Sequence, residues 1–306
     1  MYFYLPVALT SINIFLPIGL GLMVGLLSGL FGVGGGFLLT PLLIMFGIPP
    51  TVAAATDSNQ IVAASTSGTY AHWKIGNVDF KMGLYLLIGG FSGGLAGVQL
   101  MKLLVMMGNA SFVIKITYVL MLGGVGAYML YESLSSMKKN KNPEKTAIEK
   151  ESKMTAVLNR MPFQTHFTKS GVTLSAILPI FFGGVVGILA AIMGVGGGFL
   201  MVPVMVYILR MPMHVVVGTS LFQILFTCIE VTFLQAYTNH TVDFVLAVLL
   251  LLGSTIGAQI GTIFGRKLKG EQLKIYLAVI VLAVTVKIIF DLTLTPSLLL
   301  SQGGGH

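Results

Sequence analysis

Two glycine runs stand in otherwise apolar sequence, Gly32-Val33-Gly34-Gly35-Gly36-Phe37-Leu38 and Gly194-Val195-Gly196-Gly197-Gly198-Phe199-Leu200. Inside a membrane, such a run is tolerated only where protein or a wet cavity covers its backbone amides. Each run opens a short apolar segment, so free N–H groups and the positive end of a helix dipole converge there. That is the chemistry of an anion site. Glycine also permits positive φ, which lets successive amides curl around an anion. The plainer use of the same residues is close helix packing. Gly34, Gly35, Gly36, Gly196, Gly197 and Gly198 are therefore candidate substrate contacts. Neither run is a nucleotide loop: Phe37 stands where G-x-G-x-x-G needs its third glycine, and neither matches G-x-x-x-x-G-K-[ST].

Polar clusters follow each run. Thr56, Ser58, Asn59 and Gln60 in the first half, and Thr219, Ser220 and Gln223 in the second, lie near the starts of apolar spans. Their hydroxyls and amides can donate to oxyanion oxygens without a fixed charge, or can serve as caps and interhelical hydrogen bonds. Gln60 and Gln223 are the stronger pair because both halves carry them. Asp57 occurs in one half only, with Ser220 at the matching place. A carboxylate beside an anion site repels the anion unless it is protonated, so Asp57 is a candidate for a coupling proton. Glu230 is the other candidate, seven residues after Gln223 and close to the same helix face.

Other polar residues read more simply. His72, His214 and His240 fall at span ends, and the sequence has no His/Cys/Asp cluster at metal spacing, so neither metal nor cofactor is expected. Asp79 and Asp243 open helices as caps. Cys228 is a small buried hydrophobe. Gly89, Gly93 and Gly97, with Gly253, Gly257 and Gly261, form small-residue faces for tight helix packing.

The elements that position these groups must be membrane helices. Of 306 residues, 55% are hydrophobic and 9% charged, with a mean hydropathy of +0.92, against about 25% charged in a soluble domain. A cytosolic enzyme, a disulfide scaffold and a disordered tail are excluded. The net charge of +8 is local: 8 of the 18 Lys/Arg fall between Lys138 and Lys169. It reads as membrane orientation, not nucleic-acid binding. The first residues have no basic n-region, and the apolar run continues into Leu16–Leu30, so they read as a retained first span and not a cleaved signal. Apolar stretches fall at about 12–31, 37–48, 52–72, 82–104 and 112–131, and again at 176–193, 199–210, 214–237, 244–265 and 275–293. Most meet the ~20 residues of a span. The stretches 37–48 and 199–210 reach only about 18 Å and are short or interrupted helices.

The expected organisation is a first transmembrane repeat (1–131), a basic polar linker (132–175), a second repeat (176–293) and a tail (294–306). The halves match collinearly. Pro41 pairs with Pro203, Pro49 with Pro212, Thr56 with Thr219, Gln60-Ile61 with Gln223-Ile224, and Val78-Asp79-Phe80 with Val242-Asp243-Phe244. With the linker on the cytoplasmic side, inverted repeats gather 14 of the 18 Lys/Arg on that face, so charge bias favours inversion. The fold class is thus an all-α polytopic membrane bundle of two inverted repeats in the cell membrane, each with a glycine break before a short helix.

The duplicated Gly-Val-Gly-Gly-Gly-Phe-Leu with Pro41 and Pro203, followed by proline- and threonine-bearing elements, resembles the TauE/SafE-type sulfite exporters of the 4-toluene-sulfonate uptake permease superfamily. The resemblance spans roughly 16–131 and 176–293. It implies a secondary carrier for small sulfur-containing anions such as sulfite, sulfonates or sulfoacetate. Gly218-Thr219-Ser220 matches the family motif, whereas Ala55-Thr56-Asp57 departs from it. The expected function is alternating access around a midplane anion site, with protons as a further partner. An anion channel, or a cation carrier using Asp57 and Glu230, is the alternative. An enzyme is not expected, because no nucleophile–base pair is present.

Overall fold

The computed structural model of the chain describes residues 2–31, 36–139, 162–265 and 270–293. Among these residues are ten helices: α1 (Phe15–Phe31), α2 (Gly36–Met45), α3 (Pro50–Lys74), α4 (Phe80–Met106), α5 (Ala110–Lys139), α6 (Ile177–Met193), α7 (Gly198–Pro203), α8 (Met213–Leu234), α9 (Phe244–Gly265) and α10 (Gly270–Thr293). The tail 294–306 and residues 140–161 of the expected linker lie outside the described residues.

Local chemistry sets many of these ends. The paired prolines Pro49 and Pro212 immediately precede α3 and α8, with φ of −53° and −61°. That angle suits a chain about to turn helical. Asp79 and Asp243 cap α4 and α9: their carboxylates accept from Met82 N at 3.0 Å and Leu246 N at 3.1 Å. Gly194 stops α6 with φ +74° while its N–H donates to Ala190 O, the left-handed stop that glycine allows. Pro203 ends the α-helical part of α7, and a π-helical turn carries the chain over Val204–Ile208.

Two elements depart from the sequence reading. The chain begins with a β-hairpin, β1 (Tyr2–Leu5) with β2 (Thr10–Asn13), and helix starts only at Phe15. Part of the presumed linker forms a second hairpin, β3 (Gln164–Phe167) with β4 (Val172–Ser175), turned at Gly171 with φ +65°. A four-residue strand is too short for hydropathy to reveal. The α5 helix also runs to Lys139, beyond the 131 boundary.

Four described helices are long and apolar enough to cross a membrane, within Phe80–Met106, Ala110–Tyr128, His214–Asn239 and Phe244–Gly261. On α4, the exposed Leu84, Ile88, Phe91 and Leu95 recur at helical spacing and form a lipid-facing stripe. Helix α3 is 25 residues long but carries too many polar side chains to join the four. It can afford them because the other helices surround it: Thr56, Asp57, Ser58, Gln60 and Ser65 are all buried.

The halves interleave. Gly21 and Gly25 of α1 lie against Leu250 and Ser254 of α9, and Gly253 and Gly257 of α9 lie against Ile18 and Leu22. Residue numbers rise together, so the two helices are parallel. Helices α4 and α6 pair in the same sense: Gly89, Gly93 and Gly97 meet Ile180, Gly184 and Ile188. At Gly21, Gly25, Gly89, Gly93, Gly97, Gly253 and Gly257 a Cβ would collide with backbone of the neighbour. In lipid, apolar burial gives helices no hydrophobic reason to associate, so such backbone proximity supplies much of the cohesion. Matched helices run the other way. Gly68 of α3 faces Leu221 of α8 whereas Gly218 faces His72, and Gly123 and Gly126 of α5 face Thr285 and Val281 of α10. Both pairs are antiparallel.

Candidate substrate site at the crossing of α3 and α8

Matched residues of the two halves touch one another at the centre. Phe37 and Phe199 stack with ring centroids 4.7 Å apart and planes 12° from parallel. Ile61 and Ile224 share a small buried cluster with Cys228. One glycine of each run, Gly36 and Gly196, backs onto this cluster. A Cβ on Gly36, the first residue of α2, would strike Ile61 and lie 3.2 Å from Asp57 Oδ1. A Cβ on Gly196 would lie 2.5 Å from Cys228 Sγ and 2.8 Å from Ile224, with Ile61 at 3.4 Å. Ile61 of α3 is therefore where Gly36 and Gly196, one from each glycine run, both come close. Gly196 and Gly197 have φ of +66° and +75°, a backbone that side-chain-bearing residues rarely adopt. Gly197 packs against Val186, and Gly198 is buried at the start of α7. Gly34 and Gly35 lie outside the described residues.

Within this turn, Asp57 is fully buried. Its Oδ2 accepts from Thr40 N at 3.2 Å and Thr40 Oγ1 at 2.7 Å, which ties α3 to α2. Its Oδ1 has no partner. Ser58 Oγ reaches Ala54 O at 3.3 Å and, across the halves, Gly194 O at 3.2 Å. Asn59 is half-buried. Gln60 is buried with Oε1 unpartnered, and Gln223 repeats this on α8 with its Nε2 donating to Thr227 Oγ1 at 3.1 Å. A buried acceptor without a donor costs about 1–3 kcal/mol. Three of them around one crossing mark a place that a ligand or water can complete. Ser220 Oγ donates back to Val217 O.

Thr56 and Thr219 have a second task. Thr219 Oγ1 accepts from Asp79 N at 3.0 Å, and Thr56 Oγ1 accepts from Asp243 N at 3.1 Å. Each threonine thus holds the capping residue of the other half. The same aspartates take the hairpins: Asp79 Oδ2 accepts from Ser170 N at 3.1 Å and from Ser170 Oγ, and Asp243 Oδ2 accepts from Val7 N at 3.1 Å.

Glu230 faces elsewhere. Its carboxylate lies against Gly94 of α4, and its Oε2 has no partner. Asp57 engages α2 and Glu230 abuts α4, so the two acids have different neighbours. Among the described residues, no group of three or more His, Cys, Asp and Glu could hold a metal ion. Sequence reasoning missed Thr40, although it is a lone polar residue in the apolar run 37–48. It also missed Tyr118 of α5, fully buried, whose hydroxyl donates to Met193 O at the end of α6.

Long apolar helices in two interleaved halves, crossing at buried unpaired polar groups, define a membrane transporter. The family model described as sulfite exporter TauE/SafE matches residues 17–288, and the chain belongs to that family, one of membrane transporters and not enzymes. It is 28% identical over 280 residues to the probable membrane transporter protein YunE of Bacillus subtilis (strain 168), covering 89% of this chain and 96% of the relative. Identity to YjnA of the same organism, also a probable membrane transporter protein, is 29% over 273 residues, covering 88% and 97%. The Arabidopsis thaliana sulfite exporter TauE/SafE family protein 1 is 32% identical over 103 residues, 33% of this chain and 23% of that one. No solved structure matches the chain.

Proposed function

We propose that the chain is a multi-pass cell-membrane permease for small sulfur-containing anions of the sulfite, sulfonate or sulfoacetate class. It works by secondary active transport, with alternating access around the α3–α8 crossing. The observation that carries this reading is the approach of Gly36 and Gly196, one from each glycine run, to the α3–α8 crossing beside the buried, amide-bearing Gln60 and Gln223. The antiparallel run of matched helices supports a pair of inverted repeats, in which one half rocks against the other. On this reading the linker 132–175 is cytoplasmic. Thr56, Ser58, Asn59, Gln60, Thr219, Ser220, Gln223 and the glycines 34–36 and 196–198 surround the anion. The absence of Lys and Arg from these positions suits release, since a fixed cation would hold the anion tightly.

A proton on Asp57 or Glu230 couples transport to the gradient. Asp57 fits this better, because its free Oδ1 adjoins Gly36 of the first break, and protonation there removes a negative charge from the anion's surroundings. Uptake of radiolabelled sulfite into proteoliposomes, with and without a pH gradient and competed by thiosulfate, sulfate and an organosulfonate, tests the reading. Saturable uptake blocked by one sulfur anion is expected. Conductance steps in planar bilayers would mark a channel, and uptake of cations alone would sink the anion assignment. Equal gradient response in wild type, Asp57→Asn and Glu230→Gln would end the proton proposal.

A further inference from the structure

A second polar feature lies away from the crossing, at the α3–α4 loop. An open pocket of about 370 Å³ is lined by Trp73, Asp79, Phe80, Lys81, Thr168 and Lys169, among others. Each of its two ammonium groups gives one hydrogen bond to a backbone carbonyl and retains further donors. Lys81 Nζ donates to His166 O at 2.9 Å, and Lys169 Nζ to Gly76 O at 3.5 Å. An ammonium has three protons to give. The one carboxylate in the lining, Asp79, is occupied by Met82 N and Ser170. The pocket therefore offers net positive charge and unused donors to an oxyanion.

Below the lysines runs an aromatic ladder. Tyr70 meets Trp73 edge-on at 6.3 Å, Trp73 meets Phe80 at 6.4 Å, Phe80 meets Phe222 at 5.3 Å, and Phe222 meets Phe226 at 5.1 Å. The last two are one turn apart on α8, so the ladder descends along a membrane helix. Tyr70, Trp73, Phe80 and Phe226 are all exposed. A free inorganic anion has no use for this apolar extension, whereas an anion carrying acyl chains does. The matching region of the other half lacks the charges: Val245 stands at the place of Lys81, and the hairpin turn Pro6–Leu9 contains no Lys or Arg. Fold symmetry thus does not require the lysines.

We propose that this pocket binds the phosphate of an anionic phospholipid, with Lys81 and Lys169 on the phosphate and the acyl chains along Trp73, Phe80, Phe222 and Phe226. The site is independent of the transported substrate. Native mass spectrometry of the detergent-purified protein, titrated with phosphatidylglycerol and phosphatidylcholine of the same chains, tests it. One phosphatidylglycerol is expected to be retained over phosphatidylcholine. Lys169→Gln is expected to lower that retention about fivefold, and adding Lys81→Gln to lower it about fivefold again. Lys169→Arg should keep it, and Lys102→Gln, a lysine outside the pocket, should leave it unchanged. Lys169 makes only one long hydrogen bond, so its replacement spares the fold even if Lys81→Gln loosens the hairpin. Phe222→Ala should weaken phosphatidylglycerol without restoring phosphatidylcholine. Equal retention of the two lipids by wild type, or undiminished retention by Lys169→Gln, overturns the proposal. Displacement of the lipid by millimolar inorganic phosphate would mark a free-anion site and overturn it as well.

Discussion

At the start of α4, Asp79 caps its helix through Met82, takes the turn of the second hairpin through Ser170, and gives its own N–H to Thr219. At the start of α9, Asp243 caps through Leu246, takes the turn of the first hairpin through Val7, and gives its N–H to Thr56. The two locks match group for group, and each joins one half to the other. A few residues away the halves part company. Thr40 and Asp57 bind one another on the first-half side, where the second half has Val202 and Ser220. The comparison separates two kinds of residue. The repeated aspartate–threonine locks hold the halves together, whereas the Thr40–Asp57 pair belongs to the first half alone.

The packing half of that contrast can be broken most forcefully at the glycines. Gly93 lies against the backbone of Gly184, whereas nothing stands near Gly124. Gly93→Val is expected to cost about 3 kcal/mol in a denaturant titration of the detergent-solubilised protein. Gly124→Val should cost little. Similar losses at both positions would mean that α4 and α6 are not in backbone contact. The second-half counterpart, Gly257→Val, should resemble Gly93→Val, because Gly257 meets Leu22 of α1 in the same way.

The locks give the next effect. Asp79→Ala and Asp243→Ala each remove a cap and a cross-half acceptor and are each expected to cost about 2 kcal/mol. Hydrogen exchange at residues 2–13 should rise in Asp243→Ala, and at residues 162–175 in Asp79→Ala. Exchange that rises in the wrong hairpin would refute the crossed arrangement. The functional half of the contrast is sharpened by Thr40→Val, which gives the first half the residue that the second half has at the matching place. It strips Asp57 of its 2.7 Å donor and should alter gradient-driven uptake, while Val202→Thr, which adds a hydroxyl with no carboxylate to meet, should not. Equal transport by both variants would separate Thr40 from the mechanism.

Much of this architecture was readable because its signals are repeated or long. Collinear motifs such as Val-Asp-Phe pair positions across the two halves, the apolar stretch 82–104 announces α4, and the Gly89, Gly93, Gly97 spacing predicts a packed face. The partner of that face was not readable, since spacing within α4 says nothing of α6. A second glycine face of α4 was missed altogether: Gly83, Gly90 and Gly94 meet Phe222, Thr227 and Glu230 of α8, although steps of seven and four residues put them on one helix face. The caps Asp79 and Asp243 were legible as local events, because a cap is decided within one turn. Their bonds to Ser170 and Val7 span 91 and 236 residues, and no local pattern encodes them. Thr56 and Thr219 show the same limit from the other side. Their repetition suggested a ligand contact, and their acceptor atoms proved to hold the opposite half.

Ser58 supplies the finest test, because it belongs to the unrepeated set yet bridges the halves. Its hydroxyl reaches the carbonyl of Gly194, the residue at which α6 breaks in a left-handed turn. Leu221 occupies the matching place in α8, so the second half has no such bridge. Ser220, by contrast, only donates within its own helix to Val217 O. Ser58→Ala should leave Gly194 O without its buried donor and cost about 1 kcal/mol. Ser220→Ala, which leaves a carbonyl of its own helix turn, should cost less. If the two alanine variants unfold alike, Ser58 does not brace the second glycine break. If Ser58→Ala is the weaker protein and also transports more slowly, that break must be held in shape for the anion to pass.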